Sequence, residues 1–229
     1  MTQRVFASWS GGKDSCLSCY HAMTDGLDIR YLTNMVTEDG KRSCSHGISA
    51  DVIRVQSEAI GIPLLQRPTT RETYEAEFKN TIQSLKQERV KGGVFGDIDF
   101  NEHRQWIERV CRETGIIPYL PLWGESHDKV MKDFVNLGFE SVIIAAKSDF
   151  FGEDILGRKL DMDFIKHLEE LKKTKDITLC GEAGEYHTVV IDGPLFQKRV
   201  EIMEAEKILR DGIWFLEILK VEIKDRRPD

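Results

Sequence analysis

The stretch Val5-Phe6-Ala7-Ser8-Trp9-Ser10-Gly11-Gly12-Lys13-Asp14-Ser15 decides the fold. A short apolar run, a pair of glycines among hydroxyl and charged side chains, and a helical pattern from Ser15 to Met23 predict strand, loop and helix in that order. Gly11 and Gly12 let backbone N–H groups approach an anion closely, and the helix N-terminus adds unpaired donors and the positive end of a dipole. Lys13 supplies a full charge, Ser10 and Ser15 supply hydroxyls, and Ser15 is the expected N-cap. Asp14 does not grip an anion by itself, but it suits the Mg²⁺ side of a phosphate group or the orientation of Lys13. The Walker A spacing Gly-x4-Gly-Lys-Ser/Thr is absent, and the shorter cradle suits pyrophosphate.

Outward from that loop the pattern repeats. Strands are expected at Ile29 to Val36, Pro63 to Leu65, Gly93 to Phe95 and from Ile116. Helices are expected over Ala50 to Ile60 with Gly61 as its stop, about Arg71 to Glu88, and Glu102 to Thr114 closed by Gly115. Apolar runs alternating with helices imply right-handed crossovers and a parallel sheet covered on both faces. After Leu122-Trp123-Gly124 a helix (about His127 to Leu137) and the apolar run Ser141 to Ala146 follow, and beyond Thr178 short strands succeed one another without helices. The expected organisation is a nucleotide-binding domain over 1–124 and a smaller α+β, substrate-binding subdomain over 125–229.

With 41% hydrophobic and 31% charged residues, the 229-residue chain has the composition of a globular protein rather than a disordered one. The apolar runs are short, so no membrane span is expected, and a cytoplasmic location is expected. A formal net charge of -7 weighs against a life on a phosphate backbone. The five cysteines, Cys16, Cys19, Cys44, Cys111 and Cys180, are odd in number and widely spaced, which predicts reduced thiols. Cys16-x-x-Cys19 lacks a second ligand pair at metal spacing and is expected to be buried packing.

A second segment carries chemistry: Cys180-Gly181-Glu182-Ala183-Gly184-Glu185-Tyr186-His187-Thr188. It reads as a glycine-bearing turn presenting Glu182, Glu185 and His187 ahead of a strand. Such groups can bind an amine nucleophile, take its proton or hold Mg²⁺, or they can simply be solvated turn charges.

Ser-Gly-Gly-Lys-Asp-Ser resembles the pyrophosphate loop of the N-type ATP pyrophosphatases, whose fold is a Rossmann-like adenine-nucleotide α-hydrolase (HUP) variant. With Gly181 to Thr188, the chain resembles the diphthine–ammonia ligase family. Met35, His46, Gly61-Ile62-Pro63-Leu64, Gly96-Asp97-Ile98, Leu122-Trp123-Gly124 and Leu156 to Asp161 also fit that pattern. Ala183 stands where the family has glycine and His187 where it has an acidic residue, which is similar to the branch whose members need not make diphthamide.

The resemblance implies an amidoligase using ATP, Mg²⁺ and ammonia that adenylates a carboxylate and releases AMP and pyrophosphate. If the acceptor is diphthine, it implies elongation factor 2 as partner; otherwise the acceptor is a small-molecule carboxylate, cobalamin-related metabolism being one setting. It places Ser10 to Ser15 on the phosphates, Ala7, Ser8, Met35 and Gly96 beside the nucleotide, and Asp14 on the metal. Lys13, Asp14, Glu182, Glu185 and His187 become the catalytic candidates. His46, Asp97, Arg158, Glu182 and Glu185 become the substrate-side candidates. For Met35, Gly96, Asp97, His46 and Arg158 ordinary packing, a helix start or a solvated charge is the competing explanation. A tRNA-modifying enzyme with the same loop, a nucleotide-sensing module and a homodimer are the remaining alternatives.

Overall fold

The computed structural model describes residues 2–226 and forms two compact units. One holds residues 2–10 and Asp14–Gly124; the other holds Gly11–Lys13 with residues 125–226.

In the first unit the order is β1 (Arg4–Ser8), α1 (Lys13–Thr24), β2 (Asp28–Val36), α2 (Ala50–Ile60), β3 (Leu64–Pro68), α3 (Tyr74–Gln87), β4 (Gly92–Val94), α4 (Asn101–Thr114) and β5 (Ile117–Tyr119). All neighbouring strands are parallel, in the order β3-β2-β1-β4-β5. The chain moves outward from β1 to β3, then returns to β4 on the other side of β1. Right-handed crossovers running in opposite directions put α1 and α2 on one face and α3 and α4 on the other. The fold is therefore the expected α/β Rossmann-like arrangement, and its switch point lies between β1 and β4, at whose carboxyl ends such sheets bind ligands.

The α3/α4 face is filled around Phe6 of β1. Its ring meets Phe78 and Phe95 edge-on at 6.1 and 6.0 Å. Ile82, Leu85, Ile107, Val110 and Cys111 close the same cluster. Aromatic pairs of this geometry add about 0.5–1.5 kcal/mol each beyond the area they bury.

The second unit contains α5 (His127–Asn136), β6 (Glu140–Lys147), a 3-10 turn (Glu153–Ile155), α6 (Met162–Lys172), β7 (Tyr186–Asp192), β8 (Arg199–Arg210) and β9 (Ile213–Lys224). Its sheet is antiparallel, ordered β7-β6-β9-β8, which gives the α+β character expected from the sequence. Asp161 caps α6 by accepting from the Phe164 N–H at 2.8 Å. The helix start weighed for Arg158 lies a few residues further on, at Met162.

Four expectations are corrected. Helix α1 begins at Lys13, so Ser15 lies inside its first turn and is not the N-cap. Helix α3 begins at Tyr74, not near Arg71, because the Thr70 and Thr73 hydroxyls and N–H groups bond to one another in a separate turn. Strand β7 begins at Tyr186, so His187 is a strand residue and does not precede the strand. The last two strands are 12 residues each rather than short.

Candidate functional site

In the first unit β1 ends at Ser8, and the Trp9 carbonyl accepts from the Asn34 amide at 2.8 Å while its indole donates to Gln56 at 3.2 Å. These bonds fix where the loop leaves the sheet. The Ser10 hydroxyl then donates to that of Ser15 at 3.1 Å, closing the loop over one helical turn. Ser15 is 5% exposed, while Ser10 and Asp14 are partly exposed.

Gly96 follows β4, and its bare backbone is required by the protein itself. A Cβ there would sit 2.9 Å from the Asp14 carbonyl carbon and 3.0 Å from the Ser15 nitrogen. The sequence suggested that this glycine made room for a nucleotide; the structure fills that room with the first turn of α1. Strand β4 thus fixes the position of the helix N-terminus, the end of a helix whose unpaired N–H groups suit an anion.

Beside it lies a cavity of about 350 Å³ lined by Ser8, Ser45, Tyr74, Phe95, Asp97 and Trp106, among others. That volume is in the range of small-molecule sites, roughly 300–1,000 Å³. Burial raises the Asp97 carboxyl above its ordinary value; His103, 3.2 Å away, lowers it and the charge of Asp14 raises it. Burial pushes the Tyr74 phenol up to about 12.

Other candidates on this unit do not join that cavity's lining. Met35 is 5% exposed and belongs to the Phe6 cluster, and its carbonyl accepts from the Cys44 N–H at 2.9 Å. Ala7 is buried in the sheet. His46 is half-buried in the connection between β2 and α2.

In the second unit, Gly11, Lys13 and the glutamate-bearing segment meet. Gly11 turns through a φ of +78°, a conformation natural to glycine, and its carbonyl accepts from the Val190 N–H at 2.9 Å. The Lys13 N–H donates to the Thr188 hydroxyl at 3.1 Å. The Lys13 ammonium donates to the Cys180 carbonyl at 2.5 Å and sits 5.8 Å from the centre of the Tyr186 ring. Lys13 is only 4% exposed. Its charge therefore holds the segment 180–188 in place, a role beyond the phosphate contact expected from the sequence.

Glu185 is 1% exposed. Its Oε1 accepts from the Thr178 N–H at 2.5 Å, its main-chain carbonyl accepts from Lys147, and its Oε2 is buried without a hydrogen-bond partner among the described residues. A buried carboxylate oxygen left in this state is costly unless a ligand donates to it. Burial holds the His187 imidazole down to about 4, with the charges of Lys13 and Lys147 adding to the effect and Glu185 opposing it. His187 is thus neutral at physiological pH. Glu182 is half-buried on the turn, its N–H donating to the Thr178 hydroxyl at 2.8 Å. Arg158 is exposed and lies over the Phe164 ring at 5.0 Å.

Sequence reasoning missed Lys147, whose ammonium donates to the Ala183 carbonyl at 2.8 Å. A lysine closing the apolar run Ser141 to Ala146 was the available signal. It also missed the aromatic lining of the cavity, because Tyr74, Phe95 and Trp106 are far apart in sequence. Cys16 and Cys19 are fully buried, and burial raises both thiols, Cys19 to about 12. No helix among the described residues is long and apolar enough to cross a membrane.

Comparison with known proteins gives the family. Residues 3–118 match the diphthamide synthase N-terminal domain and residues 126–224 the diphthamide synthase C-terminal domain. The human protein named diphthine–ammonia ligase is 27% identical over 97% of this chain and 93% of its own length. The Schizosaccharomyces pombe protein of that name is also 27% identical over 97% of this chain, which spans 40% of that longer protein. A solved structure described as a predicted subunit of tRNA methyltransferase from Methanocaldococcus jannaschii aligns at a TM-score of 0.45 and 15% identity, over 84% of this chain and 98% of its own. A score that low does not by itself equate the two folds. The two domain matches together span nearly all of the sequence: the chain belongs to the diphthamide synthase family, a family of ATP-dependent amidoligases, and is an enzyme of the C–N bond-forming ligase class.

Proposed function

We propose that this enzyme adenylates a diphthine-like carboxylate with ATP and transfers ammonia to it, releasing AMP and pyrophosphate. The observation that carries the reading is the fixed N-terminus of α1 at the β1/β4 switch point, where Gly96 packs on Asp14 and Ser15. Ser10, Ser15 and the loop N–H groups would receive the phosphates, and the cavity beside Ser8 would take the adenine between Tyr74, Phe95 and Trp106.

Mg²⁺ fits this arrangement, because Asp97 is a buried carboxyl that feels the charge of Asp14, and a cation would offset both the burial and the repulsion. Asp14 and Asp97 would hold the ion together with phosphate oxygens, and it would supply charge neutralisation.

The carboxylate oxygen of the acceptor attacks the α-phosphorus, and the bond from that phosphorus to the bridging oxygen of pyrophosphate breaks. Ammonia then attacks the carbonyl carbon of the acyl-adenylate, AMP leaves, and an amide remains. Glu185 Oε2 supports ammonia capture on the second unit, since it is buried and accepts no hydrogen bond among the described residues. The burial and the two lysine charges that keep His187 neutral also disfavour ammonium, so nitrogen is held as NH₃, its nucleophilic form. Glu185 accepts the proton that the nitrogen sheds, while the neutral His187 imidazole accepts a hydrogen bond from it.

A small-molecule carboxylate is the second reading of the acceptor. It is favoured by His187 and Ala183, which leave this segment with less negative charge and one more side chain than the family pattern. Incubating the chain with ATP, ammonium and either diphthine-bearing elongation factor 2 or small carboxylates tests both. Acceptor-dependent AMP formation with an amide product supports the proposal; AMP formation indifferent to ammonium rejects it.

A further inference from the structure

At the end of the parallel sheet opposite the loop between β1 and α1, where β1, β2 and β4 begin, lies another cavity, of about 480 Å³. Thr2, Gln3, Arg4, Asp28, Arg89 and Lys91 line it. It shares no lining residue with the cavity beside Ser8 and is separated from it by the length of β1, about 13 Å at roughly 3.3 Å per residue.

Its volume is in the range of small-molecule sites, but those are mostly apolar and this one is not. A hydroxyl, an amide, two guanidinium groups and an ammonium share the lining with a single carboxylate, and no aliphatic or aromatic side chain is among them. That carboxylate, Asp28, is divided between Arg4 at 3.9 Å and Arg30 at 3.8 Å. The side chains of Arg89 and Lys91 make no hydrogen bond or ion pair among the described residues. In a chain of net charge -7, one hollow thus concentrates positive charge that the protein leaves uncompensated.

The backbone holds these groups in a fixed frame. The Asp28 N–H donates to the Gln3 carbonyl and the Lys91 N–H to the Arg4 carbonyl, each at 2.9 Å. The side-chain nitrogen of Gln3 is buried with no acceptor among the described residues, and an oxyanion in the cavity would supply one.

Arg89 costs stability where it stands. Helices α2 and α4 end in left-handed glycines, Gly61 at φ +82° and Gly115 at +68°. Helix α3 ends instead with Arg89 at φ +63°, a conformation that penalises any residue with a Cβ. The helix end does not need the guanidinium as a donor, because the N–H groups of Arg89 and Val90 already bond the Lys86 and Leu85 carbonyls at 3.0 and 3.2 Å. Strain kept at a charged residue that lines a cavity points to a use for its side chain.

We propose that this hollow is a binding site for a small, multiply charged phosphate oxyanion, pyrophosphate above all, separate from the nucleotide cavity. A lining without apolar groups gives a nucleobase or a lipid chain nothing to pack on, and suits a compact ligand rich in acceptor oxygens. Three cations with one shared carboxylate favour several negative charges over one. The site does not depend on the reaction proposed above.

Isothermal titration of inorganic pyrophosphate into the full chain tests this, with α,β-methylene-ATP at saturation to occupy the loop between β1 and α1. One further equivalent of pyrophosphate is expected to bind, more tightly than inorganic phosphate. Arg89→Gly suits the left-handed backbone, so its melting temperature without ligand should be equal or higher, while its pyrophosphate affinity falls roughly tenfold or more. Lys91→Gln should weaken pyrophosphate likewise, and neither variant should alter the affinity for α,β-methylene-ATP. No binding beyond the occupied loop, pyrophosphate affinity unchanged in these variants, or equal affinity for phosphate and pyrophosphate would overturn the proposal. If Arg89→Gly fails to fold, Lys91→Gln decides alone. If the ATP analogue does not bind, which counts against the nucleotide reading only, the same variants titrated without it decide.

Discussion

The Lys13 ammonium donates to the carbonyl oxygen of Cys180 at 2.5 Å, so the lysine of the proposed phosphate loop is a pin for the glutamate-bearing segment. One side chain thereby serves as a proposed phosphate ligand and as the donor that fixes the segment carrying Glu182 and Glu185.

Lys13→Met should therefore damage stability as well as turnover. It leaves a buried carbonyl without its charged donor, a loss of about 2 kcal/mol, and the melting temperature should fall by several degrees. Differential scanning calorimetry beside a pyrophosphate-release assay checks this; lost turnover with an unchanged melting temperature would restrict Lys13 to the phosphates.

Gly96→Ala should weaken ATP binding although residue 96 need not touch the nucleotide. The added Cβ meets main-chain atoms of Asp14 and Ser15 at 2.9–3.0 Å, and a backbone contact of that kind costs about 1–3 kcal/mol when the first turn of α1 must shift. Isothermal titration with ATP is the measurement, and unaltered affinity would contradict the pre-set helix end.

Tyr74→Ala should lower ATP affinity by roughly tenfold, the scale of one lost aromatic stacking contact, while Tyr74→Phe keeps the ring and should bind nearly as the natural enzyme does. Tyr74 lies parallel to Phe78, with ring centres 6.4 Å apart, so the phenylalanine variant preserves that packing. Equal affinities for the two variants would move the adenine elsewhere.

His187 should leave a pH signature. Its imidazole is held down to about 4 in the folded chain against an ordinary value of 6.5, so the unfolded state binds the proton first as pH falls. The sign is that stability is fully present above about 6.5 and is lost as pH falls toward 4, by at most about 3 kcal/mol. In urea titrations across that window, H187Q should show a flatter decline than the natural protein. Parallel slopes would mean that the imidazole titrates normally.

The parallel sheet was legible because each of its turns carries local signals. Gly61 and Gly115 close α2 and α4 in left-handed conformations, as their positions predict. The loop between β1 and α1 was equally plain, since the strand, the glycines and the helix follow one another directly. What the sequence hid depends on distant residues. Gly96 looks like a ligand-facing glycine until Asp14 and Ser15 are placed against it. Lys147 gains its meaning only when antiparallel pairing of β6 and β7 brings it to Glu185, Gly184 and His187. The β8–β9 hairpin had a readable turn, Asp211-Gly212, both residues at positive φ, but its length is set by cross-strand pairing rather than by any local residue.

The central claim is that ATP is cleaved between its α- and β-phosphates to activate a carboxylate for ammonia. It is tested most directly by quenching the reaction of the enzyme with ATP, ammonium and acceptor and resolving every nucleotide and phosphate product. The account predicts AMP and pyrophosphate in equal amounts, formed only with acceptor present and matched by amide; ADP and inorganic phosphate would contradict it.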